Sequence, residues 1–172
     1  MLRKSLFVVV SAIIAGLVGY YFYPEPELGP TVTIDSLAVV KHERVMKAYE
    51  KGKLVKSYKI AIGQNAMGDK VYEGDKRTPE GTYHIDGRNP NSGYHKNLGI
   101  SYPSDRDRAE AKLKGYSPGG DVKIHGLRRG LGFIGKFHRL FNWTAGCIAV
   151  TDAEVDELYR SVKPIAVIVI KP

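Results

Sequence analysis

Residues 31–62 alternate between apolar and polar positions with the period of two that is typical of β-strands. The apolar and β-branched residues fall into four runs, at 31–34, 37–42, 44–50 and 54–62. Lys51-Gly52 provides a turn before the last run. We therefore predict an antiparallel meander in which Tyr58, Ile60 and Ile62 share one face.

Later in the chain, capping signals predict two short helices. Ser104, with Asp107 three residues on, begins a polar helix over 104–114. Thr151 and Glu154 form a capping box before apolar residues spaced at i, i+3, i+4 and i+7. The apolar run 165–170 then predicts a buried closing strand.

Between these parts, the sequence 78–81 predicts a type I turn that leads into a strand at 82–85. Residues 86–101 are rich in glycine and asparagine, so we predict a long loop there. We expect His95, within this loop, to be exposed to solvent. His84 is eleven positions away and the chain has a single cysteine, so a zinc site has little support, and we expect neither a metal nor a cofactor.

The N-terminus carries an uncharged, mostly apolar run at 6–23, preceded by Arg3 and Lys4. Its length is close to the roughly 20 residues that span a bilayer and exceeds the about 7 to 15 of a signal-peptide core. No A-x-A cleavage site follows. We predict that residues 1–23 form an uncleaved anchor with its N-terminus in the cytoplasm, and a removed signal peptide is the alternative.

Residues 24–30, PEPELGP, predict a short stiff spacer, which leaves 31–172 as one domain with a proper core. The net charge is +8, a balance that suits anionic lipid, an acidic polymer or nucleic acid, although simple solubility explains it nearly as well. Export of the domain makes nucleic acid the least suitable partner. The oligomeric state stays open.

Candidate chemistry is concentrated at 122–152, which holds Cys147 and His125. A free thiol has a pKa of about 8.5, so only roughly 3% is thiolate at pH 7 and a nearby imidazole could serve as its base. If the strand-like runs 122–124 and 147–150 pair in one sheet, the two side chains can face each other.

The turn at Gly146 could aim the N–H groups of Gly146 and Cys147 at an oxyanion. The plainer interpretation is that a lone cysteine is a small buried hydrophobe and a histidine before glycine is a turn residue.

Several motifs resemble those of a known family. Ile124-His125-Gly126, followed by Thr144-x-Gly146-Cys147-Ile148, resembles the signature of the L,D-transpeptidase catalytic domain, the YkuD-type family that remodels bacterial peptidoglycan. Segments 68–70, 74–83 and 98–103 occur in the order that this family uses, so the resemblance covers roughly 31–172. It implies a mainly β fold with short helices, a YkuD-type β-sandwich or β-barrel-like domain.

The resemblance also implies an activity. Cys147 would be the nucleophile and His125 the base of a peptidoglycan L,D-transpeptidase acting on stem peptides, with Gly126 and Thr144 near the substrate. The protein would then lie in the bacterial envelope, on the periplasmic side, attached to the inner membrane through residues 6–23. Two alternatives remain: a hydrolase of the same family, and a non-catalytic peptidoglycan-binding domain in which Cys147 only packs.

Three positions depart from the family pattern. Many members carry an imidazole at Ala145, an arginine at Ala149 and an asparagine at Asp152, and their connection between the histidine and the cysteine is shorter. The nucleophile and the base are intact, so these differences bear on the finer substrate preference. The aromatic residues of the connection, which include Phe133, Phe141 and Trp143, could shape the acceptor side or form the core of a lid.

Overall fold

A computed structural model describes residues 2–172; Met1, the first residue of the predicted anchor, lies outside the described residues. The described chain forms a long N-terminal helix followed by a β-rich domain. Its helices are α1 (Leu2–Phe22), α2 (Asp105–Leu113), the 3₁₀ helix η1 (Gly132–Leu140) and α3 (Asp152–Ser161). Its strands are β1 (Ile34–Val40), β2 (Val45–Glu50), β3 (Lys53–Lys59), β4 (Gly81–Ser92), β5 (His95–Ile100), β6 (Lys123–His125), β7 (Ile148–Ala149) and β8 (Val162–Lys171).

These strands join in one mixed sheet with the order β3-β2-β1-β8-β4-β5-β6-β7. The predicted antiparallel meander is confirmed in β1, β2 and β3. Strand β8 returns beside β1 in parallel, with Leu37 opposite Ile168, and pairs with β4 on its other side. The alternating apolar residues of these strands are buried in one core, which fixes the register because a one-residue slip would turn them to solvent. The mainly β fold with short helices is confirmed.

The prediction of a long loop over 86–101 was wrong. This stretch forms an antiparallel hairpin of β4 and β5, with Arg88 opposite Leu98. The register shifts between Ile85 and Gly87, and again between Asn89 and Ser92, and these irregularities accommodate the turn-forming residues that obscured the strand. Pro90 falls within the second irregularity, where its missing N–H costs no ladder hydrogen bond.

The hairpin also changes the expected surroundings of His95. Its side chain is half-buried in β5, and its Nε2 lies 2.9 Å from Oδ1 of Asp156 in α3. The expectation of a solvent-exposed loop histidine was therefore wrong. The contact joins the sheet to the helix that follows β7.

Both capping boxes are confirmed. The Ser104 hydroxyl accepts from the Asp107 N–H, and the Thr151 hydroxyl accepts from the Glu154 N–H at 3.3 Å, while each N3 carboxylate accepts from its N-cap N–H. Val155 and Leu158 of α3 are buried in the core. The closing strand is also confirmed, but it starts at Val162, three residues earlier than predicted, because the helix ends at Ser161.

Helix α1 is long and apolar enough to cross a membrane: the span Arg3–Phe22 has a mean hydropathy of 2.1 and is not buried by the rest of the chain. A signal sequence near the N-terminus can meet the same criteria of length and hydropathy. The C-terminal end of α1 packs on η1, where the rings of Tyr20 and Tyr21 lie 6.1 and 5.4 Å from that of Phe137. The boundaries 1–23, 24–30 and 31–172 as anchor, spacer and catalytic domain stay a prediction.

Candidate active site

The candidate site is built on the pairing of β6 with β7. These short strands run in parallel, with Ile124 opposite Ile148 and His125 opposite Ala149. Both isoleucines are buried in the core, and because side chains alternate along a strand, His125 and Cys147 project to the opposite face. Both line one cavity of about 310 Å³. The prediction that the two runs pair in one sheet is confirmed.

Hydrogen bonding fixes the orientation of the His125 ring. Its Nδ1 lies 2.7 Å from the carbonyl oxygen of Gly126, so we assign the proton to Nδ1 and a free lone pair to Nε2. The ring of Tyr94 lies 4.7 Å away and that of Trp143 5.7 Å away, and the side chain of His125 is only 5% exposed. This burial lowers the pKa of His125, and the charge of Lys123 adds to the effect. The imidazole is therefore neutral and able to accept a proton at neutral pH.

Cys147 is partly exposed in the same cavity. Its Sγ lies 3.7 Å from the carbonyl oxygen of Asp121, to which the thiol can donate. Burial raises the pKa of the Cys147 thiol, while a hydrogen bond from the Lys123 backbone and the charge of Lys123 act in the opposite direction without cancelling it. The resting thiol is therefore protonated, and a base must remove its proton before it can attack.

The turn before the cysteine is held by Thr144. The Thr144 hydroxyl donates to the Cys147 carbonyl oxygen at 2.7 Å and accepts from the Gly146 N–H at 3.2 Å. Thr144 lines the cavity, but its hydroxyl is used within the turn. Gly146 adopts a φ of 139°, and a Cβ there would lie 2.7 Å from the Arg77 carbonyl oxygen, so both conformation and space require glycine.

Comparison with known proteins places this chain in a family. Residues 34–170 match the family model described as the YkuD L,D-transpeptidase catalytic domain. The chain belongs to this family. Among curated relatives, YafK of Escherichia coli K12, an L,D-transpeptidase by provisional assignment, is 31% identical over 147 residues, which cover 81% of this chain and 50% of YafK.

Solved structures of other proteins share the fold. The cell-shape-determining protein Pgp2 of Campylobacter jejuni matches with a TM-score of 0.61 and 26% identity, over 82% of this chain and 48% of Pgp2. Bd1075 of Bdellovibrio bacteriovorus matches with a TM-score of 0.57 and 21% identity, over 84% of this chain and 50% of Bd1075. The chain thus spans about half the length of the relatives it matches.

The positions that depart from the family pattern have distinct surroundings in this L,D-transpeptidase domain. Ala145 is exposed and lines the cavity beside Cys147. Ala149 is fully buried opposite His125 in the strand register. The Asp152 carboxylate accepts from the Leu127 N–H at 2.7 Å and so ties the start of α3 to the chain that follows His125.

Gly126, a predicted substrate contact, is a packing position. A Cβ on Gly126 would lie 2.6 Å from Oδ1 of Asp152, so glycine lets β6 approach α3 closely. Its carbonyl oxygen accepts from His125, and its N–H donates to the Lys96 carbonyl oxygen at 3.3 Å. These contacts orient the imidazole; a direct role toward substrate stays a prediction.

Sequence reasoning missed three residues that surround the candidate pair. Lys123 precedes His125 by two positions in β6 and therefore faces the same cavity, a relationship that period-two alternation could have shown. Asn97 lies opposite His125 in β5 and is buried in the cavity wall. Tyr94 lies in the turn of the hairpin. Neither Asn97 nor Tyr94 could be placed while 86–101 was predicted to be a loop.

A second histidine, His138, lies close by in η1. It is buried, and within residues 2–172 neither of its ring nitrogens has a hydrogen-bond partner. Its ring meets Trp143 edge-on at 6.4 Å. Burial, with smaller contributions from Arg139 and His125, lowers the pKa of His138 to about 4. A neutral imidazole therefore packs behind the aromatic wall of the cavity.

Proposed function

We propose that this protein is a peptidoglycan L,D-transpeptidase that works through a thioester on Cys147. The observation that carries the proposal is the common cavity of His125 and Cys147, which adjacent parallel strands place on one face. The bond from Nδ1 to the Gly126 carbonyl leaves Nε2 free for the thiol proton. Membership of the L,D-transpeptidase family supplies the substrate class.

In the proposed reaction, His125 accepts the thiol proton and Cys147 attacks the carbonyl between a diamino acid and D-alanine in a stem peptide. The C–N bond breaks, and D-alanine leaves with the proton that His125 carried. The amine of a second stem then attacks the thioester, forms the new amide and returns the thiol. Each step exchanges one bond to the carbonyl carbon for another, so no oxidant or cofactor is needed.

Backbone N–H groups of Gly146 and Cys147 are the proposed donors to the oxyanion. Loss of one donor in such sites typically costs about 3 kcal/mol of transition-state stabilisation. In the resting structure the Gly146 N–H donates to Thr144. The proposal therefore requires this N–H to exchange the hydroxyl for the oxyanion when substrate binds.

For location, we propose that α1 anchors the domain on the periplasmic side of the inner membrane. The length and hydropathy of the helix support this, as does the uncharged run that follows Arg3 and Lys4. Pgp2 is described as a helical cell-shape-determining protein, and we extend a role in cell-wall organisation and cell shape to this chain.

Mass spectrometry of the full chain mixed with a carbapenem tests the chemistry. We expect a covalent adduct on Cys147 that is lost in Cys147→Ala and formed much more slowly in His125→Asn. A wild-type protein that forms no adduct and leaves stem peptides intact would support the non-catalytic binding domain instead.

Stem peptides supplied with and without an acceptor amine then separate transfer from hydrolysis. We expect a cross-linked product that increases with amine concentration. If neither the rate of D-alanine release nor the products depended on the amine, the protein would belong with the hydrolases of the family.

Sequencing of the mature N-terminus tests the anchor. A new terminus within residues 20–30 would show a cleaved signal peptide.

A further inference from the structure

The connection between His125 and Cys147 carries exposed apolar side chains that the proposed chemistry does not use. Phe133 is 72% exposed, and Leu131, Leu140 and Phe141 are also exposed. Leu131, Leu140 and Phe141 line a single apolar cavity of about 550 Å³ together with buried parts of η1. Exposed apolar surface gathered in one place marks an interaction site more often than single exposed residues do.

This apolar patch is attached to the end of α1. The Tyr21 hydroxyl donates to the Phe133 carbonyl oxygen at 2.7 Å, so Phe133 lies at the same level as the last turn of the helix. The ammonium group of Lys136 donates to the Tyr23 carbonyl oxygen. A Cβ on Gly135 would lie 2.9 Å from the Tyr21 ring, which shows how closely η1 approaches the helix.

The position along α1 indicates what covers the patch. Tyr20, Tyr21 and Tyr23 end an apolar span, which is where aromatic residues meet the lipid head groups in membrane proteins. A side chain at the level of Tyr21 and pointing to solvent would therefore meet the interfacial layer of the same bilayer.

Basic residues lie at the same level. A cavity of about 720 Å³ between α1 and β3 is lined by Gly19 and Tyr20 on one side and by Lys56 and Lys59 on the other, with Lys136 at its edge. Lys56 is paired with Glu157 and Lys136 lies 3.7 Å from Glu25, so Lys59 is the exposed lysine of this cavity, which Glu25 and Glu27 also line. An exposed lysine beside an apolar patch suits the head-group layer of a bilayer that contains anionic lipid.

We infer that this apolar patch, within residues 131–141, is a second membrane contact. It holds the segment between His125 and Cys147 in the head-group layer of the bilayer that α1 spans. The inference rests on the membrane anchorage proposed above. It places the candidate cavity at a fixed height and orientation over the membrane, because the same segment continues through Trp143 into the wall of that cavity.

Site-directed spin labelling of the full chain in vesicles of phosphatidylethanolamine and phosphatidylglycerol tests the inference. Single cysteines replace Ile13 in the middle of α1, Phe133 in the patch, and Leu113 at the end of α2, each in the Cys147→Ser background. All three side chains are exposed and apolar, so the Leu113 label is a matched control. Collisions with oxygen and with a water-soluble nickel chelate report the depth of each label.

We expect the label at 13 to collide with oxygen but hardly with nickel, and the label at 113 to collide freely with nickel. The label at 133 should show several-fold fewer nickel collisions than the label at 113. If the label at 133 matches that at 113 while 13 remains protected, the second contact is wrong and the anchor stands. If the label at 13 is as open to nickel as that at 113, both proposals fail.

A further label at Leu131 controls for a local structural change caused by the label at 133. It should show the same protection from nickel. Spin–spin broadening between labels at 133, with protection that disappears on dilution into more lipid, would assign the patch to a second copy of the chain and overturn the inference.

Discussion

The Thr144 hydroxyl bridges the turn that precedes Cys147, donating to the Cys147 carbonyl oxygen at 2.7 Å and accepting from the Gly146 N–H at 3.2 Å. One side chain thus holds both the backbone of the proposed nucleophile and a proposed oxyanion donor. Because Thr144 is buried, removing its hydroxyl would leave these partners without a replacement.

We therefore expect Thr144→Val to lower the free energy of unfolding by about 1–3 kcal/mol and to slow acylation of Cys147. Thr144→Ser keeps the hydroxyl and should retain most of the free energy of unfolding and most of the acylation rate. Chemical unfolding and the rate of carbapenem adduct formation measure the two effects. Equal behaviour of the valine and serine variants would show that the hydroxyl does not hold the turn.

Gly146→Ala tests the backbone beside the thiol. With a φ of 139° and the Arg77 carbonyl oxygen 2.7 Å from the added Cβ, the substitution should cost about 1–3 kcal/mol of strain. A displacement of the thiol by about 1 Å can cost on the order of a hundredfold in rate, so acylation should fall sharply. Gly93→Ala is the control, since its Cβ would meet no atom within 4 Å. A variant at 146 that acylates as fast as the one at 93 would contradict the assigned geometry.

The pKa shifts of His125 and Cys147 predict the pH dependence. Burial lowers the pKa of His125 below its usual 6.5, so the acid limb of kcat/KM should lie below pH 6.5, where the protonated ring can no longer accept a proton. Burial raises the pKa of the Cys147 thiol above its usual value of about 8.5, so the rate of direct alkylation should still be increasing with pH beyond that value.

Tyr94→Ala extends this test. Removing the ring that lies 4.7 Å from His125 opens the imidazole to water, so the acid limb should move up toward pH 6.5. Tyr116→Ala removes an exposed tyrosine whose ring packs at a tilt against that of Tyr72, and it should leave the profile unchanged. An acid limb that does not move in the Tyr94 variant would show that another group controls it.

His138 predicts a loss of stability in acid. Its pKa is about 4 in the folded protein and about 6.5 when unfolded, so between these values the unfolded chain binds more protons. The free energy of unfolding should decrease as the pH falls from 6.5 to 4, by about 3 kcal/mol from this residue.

In His138→Leu that part of the pH dependence should disappear, because leucine does not titrate. The substitution breaks no hydrogen bond of this side chain within residues 2–172. His42→Leu, at an exposed histidine, should keep it. Urea unfolding of the full chain in detergent at a series of pH values measures both. Parallel curves for the wild type and the leucine variant at 138 would refute the assignment.

Local signals in the sequence predicted much of this fold. Thr151 and Glu154 predicted the start of α3, and alternation predicted the meander, because both signals depend on residues a few positions apart. The β4–β5 hairpin was missed because its glycines and asparagines are used at irregular register positions, and composition alone cannot distinguish these from a loop.

The candidate site shows the same limit. Cys147 and His125 were predicted from motifs, whereas Asn97 and Tyr94 depended on the missed hairpin. The contact of Tyr21 with Phe133 joins residues 112 positions apart, and periodicity carries no information at that distance.

Arg139 illustrates how such a distant contact can govern several parts of the molecule together. Its guanidinium forks between Glu25 in the spacer and Glu154 at the start of α3, at 2.6 and 2.7 Å. A lysine has a single compact ammonium group and cannot bond both carboxylates with the geometry of the guanidinium. Arg139→Lys would therefore loosen three parts of the molecule together: the spacer, the segment before Cys147 and the helix after it. The membrane-side contacts would then no longer be held to the candidate site, although every candidate reactive group would still be present.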